Sequence, residues 1–108
     1  MFKSIVISFI ANQFMSNITA SFYSPTSFLV SWDTMYPSMW SVVSDVCEKE
    51  PVQIKKTSTY RVSVYLYDCV YLSQQQFIIR NEDLEIYNRC VLNMHTKCHN
   101  DLECDHMA

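Results

Sequence analysis

The chain has no glycine among its 108 residues. Ordinary usage would supply about seven or eight, and chance alone gives none in roughly one such chain of a few thousand. Glycine takes positive φ without steric cost and lets backbone approach a ligand closely. Its absence excludes a P-loop, a GxGxxG turn, a GxSxG elbow, an EF-hand loop and a GxxxG helix-pairing face. It also removes the Asn-Gly and Asp-Gly turns that set hairpin register. Turns must therefore come from Asn, Asp, Ser or Pro. Strands are expected to be clear as local patterns and weakly specified as a sheet. The alternative outcome is a poorly specified or partly unfolded chain.

Ala, Arg and Pro are also scarce, at three each. All four residue types have GC-rich codons. The scarcity points either to an AT-rich coding source or to a reading frame little shaped by selection for a fold. At this length residues 1–108 are expected to form a single domain. The 49% hydrophobic content is that of a globular chain. The 8 basic residues are dispersed, and Lys55-Lys56 is their only adjacent pair. A nucleic-acid surface needs clustered positive charge to displace counterions, so that partner is disfavoured.

Charge divides the chain. Residues 1–44 carry only Lys3 and Asp33, and every other charged residue follows. Lys3 followed by the short apolar run Ser4–Ala11 outlines a signal peptide over residues 1–20, with cleavage after Ala20. The competing reading is an N-terminal strand over residues 5–10. The first reading makes the protein secreted; otherwise it is cytoplasmic. The longest apolar candidate, Ile5–Met15, is about half the ~20 residues a spanning helix needs, so no transmembrane span is expected. Asn17-Ile18-Thr19 is a glycosylation sequon, which cleavage after Ala20 would remove.

The fold class expected is α+β: a small β-rich body with one C-terminal helix. Strands are expected near residues 5–10, 27–33, 39–46, 59–67 and 77–79, with a short one near Val52–Lys55. In Tyr60–Leu66 the apolar residues alternate clearly, and Asp68 then falls on the apolar phase, so a break is expected there. The helix is expected over residues 82–98. Asn81 would cap it, Glu82, Asp83 and Glu85 would face its positive end, and Leu84, Tyr87, Val91, Met94 and Cys98 would form one stripe. Residues 99–108 are expected to be a flexible tail.

The 5 cysteines leave at least one unpaired within a monomer. A secreted chain would form two disulfides of undetermined connectivity, and a cytosolic one would keep thiols. His95, Cys98, Cys104 and His106 are the zinc candidates, since the first two share a helix face and the tail can fold back. The pattern lacks the paired Cys-x₂₋₄-Cys of structural zinc sites, and the stronger reading is a core Cys98 beside solvated histidines. No zinc, other cofactor or catalytic residue is assigned. Asp68 is the one carboxylate placed for a raised pKa through desolvation, against the simpler reading of an exposed turn residue.

Ser24–Asp33 resembles the second strand of a fibronectin type III domain, and Ile54 with Tyr60–Val64 resembles its sixth-strand tyrosine corner. Tyr67-Asp68-Cys69 is similar to the Tyr-x-Cys of an immunoglobulin domain. The stretch from Trp32 to Tyr60 reads as too short for the three intervening strands of the first family. Both tryptophans precede the first cysteine, against the order of the second. No family is assigned.

Three functional classes follow. The first is a small orphan protein, restricted to one lineage and without enzymatic activity, or a translated frame with no selected function. The second is a secreted or membrane-associated module that binds a protein partner or membrane surface through its chargeless, aromatic N-terminal part. The third is a zinc-stabilised interaction module.

Overall fold

The computed structural model describes residues 14–51, 53–57, 59–94 and 101–106. The strand expected over residues 5–10 lies outside them. Strand formation starts from period-two burial. In β2 (Ser27–Thr34) Phe28, Val30 and Trp32 point inward, and in β6 (Tyr60–Tyr67) Val62, Val64 and Leu66 do so. The two strands are antiparallel, with Phe28 opposite Leu66, Val30 opposite Val64 and Trp32 opposite Val62. Each inward residue thus meets an inward residue, which ties register to burial: a one-residue slip would turn one whole set to water.

Around this pair the described residues build two antiparallel sheets. Sheet A adds β1 (Ser16–Ser24) beyond β2, and β4 (Glu48–Lys49) and β5 (Gln53–Lys56) on the far edge of β6. Pro51 separates β4 from β5; with Lys49, Lys55 and Lys56 it blunts this edge against further pairing. Sheet B runs in the order β3 (Trp40–Val43), β7 (Gln74–Asn81), β8 (Ile86–Asn93), β9 (Asp101–His106). The sheets close one core. Phe28 meets Phe77 with ring centroids 5.5 Å apart, and Trp32 meets Trp40 edge-on at 5.4 Å.

The expected C-terminal helix is not formed, so the α+β reading is corrected to a β-rich domain with no helix among the described residues. Glu82–Glu85 is a hairpin turn, and Ile86–Asn93 is a strand paired along its length with β7. The inward residues of β8 are Ile86, Asn88, Cys90 and Leu92, a period of two. Asn88 hides that period because an amide occupies a core position; its Nδ2 donates to Met15 Sδ at 2.8 Å. The helical stripe is incidental, since Tyr87 is exposed and Val91 half-buried. Asn81 does accept from the Leu84 N–H at 3.1 Å, but it caps a single turn that Glu85 ends at φ 53°. Asp101–His106, expected within the flexible tail, is strand β9.

A glycine-free chain still needs left-handed residues. They are Asn17 (φ 52°), Met39 (φ 70°), Asp68 (φ 50°) and Glu85 (φ 53°) among the described residues. Asn17 lies at a β-bulge, where one extra residue sits between the Ser16–Asp33 and Thr19–Ser31 pairs. Asp68 follows the last residue of β6. Asn and Asp tolerate this conformation; for Met39 and Glu85 it costs about 1–2 kcal/mol each. Turn-making is therefore not confined to Asn, Asp, Ser and Pro.

Two disulfides join neighbouring strands. Cys90 and Cys104 are directly opposed on β8 and β9. Cys47 and Cys69 bridge the end of the β4–β6 ladder, beside the Val70 N–H bonded to Val46 C=O at 2.9 Å. Neither links sheet A to sheet B. The order β1-β2-β6-β4 facing β3-β7-β8 is the strand order of a constant-type immunoglobulin sandwich, with β9 added. The chain between Trp32 and Tyr60 does hold three strands, because β3, β4 and β5 are only two to four residues long. β6 pairs with β2 and so takes the fifth-strand place of that order, not the sixth-strand place on which the tyrosine-corner resemblance depends. Topology of this kind is an arrangement and carries no descent.

Candidate functional site

Apolar side chains held out of the core are the first signal of a contact surface. At one end of the sandwich, Met35, Tyr36 and Met39 are all exposed, with Tyr36 at 48% the least so. They belong to the β2–β3 connection. Met35 and Tyr36, with Pro37, Ser38, Asn81 and the turn residues Asp83 and Leu84, line an open cleft of about 200 Å³, and Met39 stands beside it.

The backbone beneath them is pinned. Thr34 Oγ1 donates to Tyr36 C=O at 3.2 Å and accepts from Tyr36 N–H at 3.0 Å. Trp40 Nε1 also donates to Tyr36 C=O. Asn81 Nδ2 donates to Ser38 C=O at 3.0 Å, joining this connection to the β7–β8 turn. Met39 reaches β3 through its left-handed conformation. The Tyr36 ring packs on Phe14 with centroids 5.2 Å apart. Core residues thus fix the loop while its apolar side chains face water.

Glu82, Asp83 and Glu85 are exposed on the facing turn, and Arg80 Nη2 lies 3.7 Å from Glu82 Oε1. The cleft lining is mostly apolar and holds one carboxylate, Asp83, with Glu82 and Glu85 flanking it on the same turn. A second exposed apolar run, Val70-Tyr71-Leu72, lies toward the other end of β2, where Cys69 N–H bonds Thr26 C=O.

The chemistry expected from the sequence is redistributed. Cys104 is bonded to Cys90, so its sulfur is occupied. His106 pairs with Asn88 at the end of β9, and His95 and Cys98 lie outside the described residues. No group of three or more metal-ligating side chains occurs among the described residues. Asp68 is exposed at its turn rather than held in the apolar run. No helix among the described residues is long and apolar enough to cross a membrane.

Among the described aromatic residues of the N-terminal part, Phe28, Trp32 and Trp40 are buried, Phe14 and Phe22 are half-buried, and Tyr23 and Tyr36 are exposed. Sequence reasoning missed Met35 and Met39 as surface residues and the half-buried Leu84 as part of the cleft. The available signal was Pro37 within Met35-Tyr36-Pro37-Ser38-Met39, since apolar residues in a proline-marked loop have no strand face to bury them. Comparison with protein-family models, curated proteins and solved structures finds no match.

Proposed function

We propose that the chain is a non-enzymatic recognition domain, stapled for an oxidising compartment, that binds a protein partner through the Met35–Met39 connection and Leu84. The observation that carries this is a pinned backbone presenting exposed thioether and phenol side chains around a cleft. Such side chains offer contact area rather than proton transfer, and their fixed backbone leaves little ordering to be lost on binding. The acidic turn of Glu82, Asp83 and Glu85 favours a partner segment that is basic and apolar. The compartment reading rests on four cysteines joined in two bridges, which persist where thiols are not kept reduced.

The test uses the full chain against an array of basic amphipathic peptides. Tyr36→Ser with Met35→Ser should weaken every retained peptide about tenfold or more, the scale of losing an interface anchor. Thermal stability should hold. Equal binding by both proteins, or no peptide retained, sinks this reading. A translated frame without selected function makes a different forecast: no cooperative thermal transition. The recognition domain should unfold in a single transition that reduction lowers, each bridge contributing on the order of 3 kcal/mol.

A further inference from the structure

We infer that Asn17 is the acceptor of an N-linked glycan. Asn17-Ile18-Thr19 is the chain's one Asn-x-Ser/Thr triplet. The fold presents it as a modified residue requires. β1 is the outermost strand of sheet A among the described residues, and the bulge between Ser16 and Thr19 interrupts its ladder at this point. Asn17 takes φ 52° there and is exposed, while Ile18 packs toward the core. The amide therefore stands off the sheet, with the chain locally freed from pairing.

Its contacts are compatible with the modification. Asn17 Nδ2 donates to Asp33 Oδ2 at 3.3 Å in an exposed hydrogen bond. In the transfer, Nδ2 bonds to C1 of a lipid-linked oligosaccharide and the C1–O bond to the lipid pyrophosphate breaks. The pyrophosphate leaves with the electron pair, and Nδ2 gives up one proton. The remaining N–H still serves Asp33. Arg61 Nη1 donates to Asn17 C=O at 2.8 Å and Nη2 to Thr19 Oγ1 at 2.8 Å, so the folded bulge is held through atoms the glycan does not use. Removal of residues 1–20 would delete the acceptor and with it the buried Met15 and Ala20. The inference therefore places any processing site before the sequon.

The inference rests on the oxidising-compartment reading, and the experiment separates the two. The full chain is expressed in a eukaryotic secretory host, once from its own Met1 and once behind an added cleavable leader. Secreted protein should lose mass in one step on peptide-N-glycosidase treatment, with Asn17 converted to Asp in the released peptide. Asn17→Gln and Thr19→Ala should each abolish the step, and Thr19→Ser should keep it. Transfer precedes folding, so poorly folding variants still report. Leader-directed chain with both disulfides formed and Asn17 unmodified overturns the acceptor. Leader-directed chain recovered with all its thiols alkylatable overturns the compartment reading, and the glycan in the native protein with it.

Discussion

Sheet A buries Ala20, Phe28, Val30, Trp32, Val62, Val64 and Leu66, with only small hydroxyls, Ser27, Ser31 and Thr34, among its buried polar residues. The inner face of sheet B mixes Trp40, Val42, Phe77, Ile79, Ile86, Cys90 and Leu92 with three buried amides, Gln75, Asn81 and Asn88. The amides have work at the margins of the core. Gln75 Nε2 donates to Val70 C=O at 2.9 Å, Asn81 reaches Ser38 C=O and Leu84 N–H, and Asn88 reaches Met15. Buried loop backbone must find partners, and Gln75 and Asn81 of sheet B supply them together with Thr34 of sheet A. The left-handed residues divide the same way. Asn17 and Asp68 adjoin strands of sheet A, whereas Met39 and Glu85, the costlier types, precede strands of sheet B. Sheet A is specified mainly by apolar alternation, whereas sheet B adds buried amide hydrogen bonds and the costlier left-handed residues; each sheet has one disulfide at or beside its strands.

The largest effect that can break this contrast is at Trp32. Trp32→Ala removes a fully buried side chain packed on Trp40 and should destabilise the fold by about 3–5 kcal/mol in denaturant titration. A loss under about 1 kcal/mol would deny sheet A its role. Next is Asn81→Ala, which leaves Ser38 C=O and Leu84 N–H without their side-chain partner and should cost about 2 kcal/mol. Asn81→Asp keeps only the acceptor and should fall between the two. A neutral Asn81→Ala would show the buried amides to be passengers. The smallest effect has the opposite sign. Glu85→Gly relieves a left-handed side chain and should raise stability by about 1 kcal/mol net of glycine's greater unfolded-state freedom. Asp68→Gly should gain less, because Asp tolerates that conformation.

The same division explains what could be read in advance. β2 and β6 were legible because Phe28-Leu29-Val30-Ser31-Trp32 and Tyr60-Arg61-Val62-Ser63-Val64 alternate with no inward polar residue. β1 was not, because only Ala20 of its nine residues is buried and its bulge shifts the phase. β8 was misread because Asn88 occupies a core position and leaves Tyr87, Val91 and Met94 to suggest a helical stripe. In the candidate site the turn acids and Asn81 were legible as a local cap, whereas Met35 and Met39 were not, since loop exposure depends on what the flanking strands pack against.

By itself the sequence determined that strands dominate the middle of the chain, that no motif needing glycine is present, and that positive-φ positions must fall to other residues. It also marked Asn17-Ile18-Thr19 as an acceptor triplet. Only the tertiary structure decided that Ile86–Asn93 is extended, that Cys47 pairs with Cys69 and Cys90 with Cys104, and that Met35, Tyr36 and Leu84 meet at one end. The reason is range. Alternation and capping act over a few residues, whereas strand partners, disulfide partners and exposure are fixed by segments far apart in sequence, such as Met15 against Asn88.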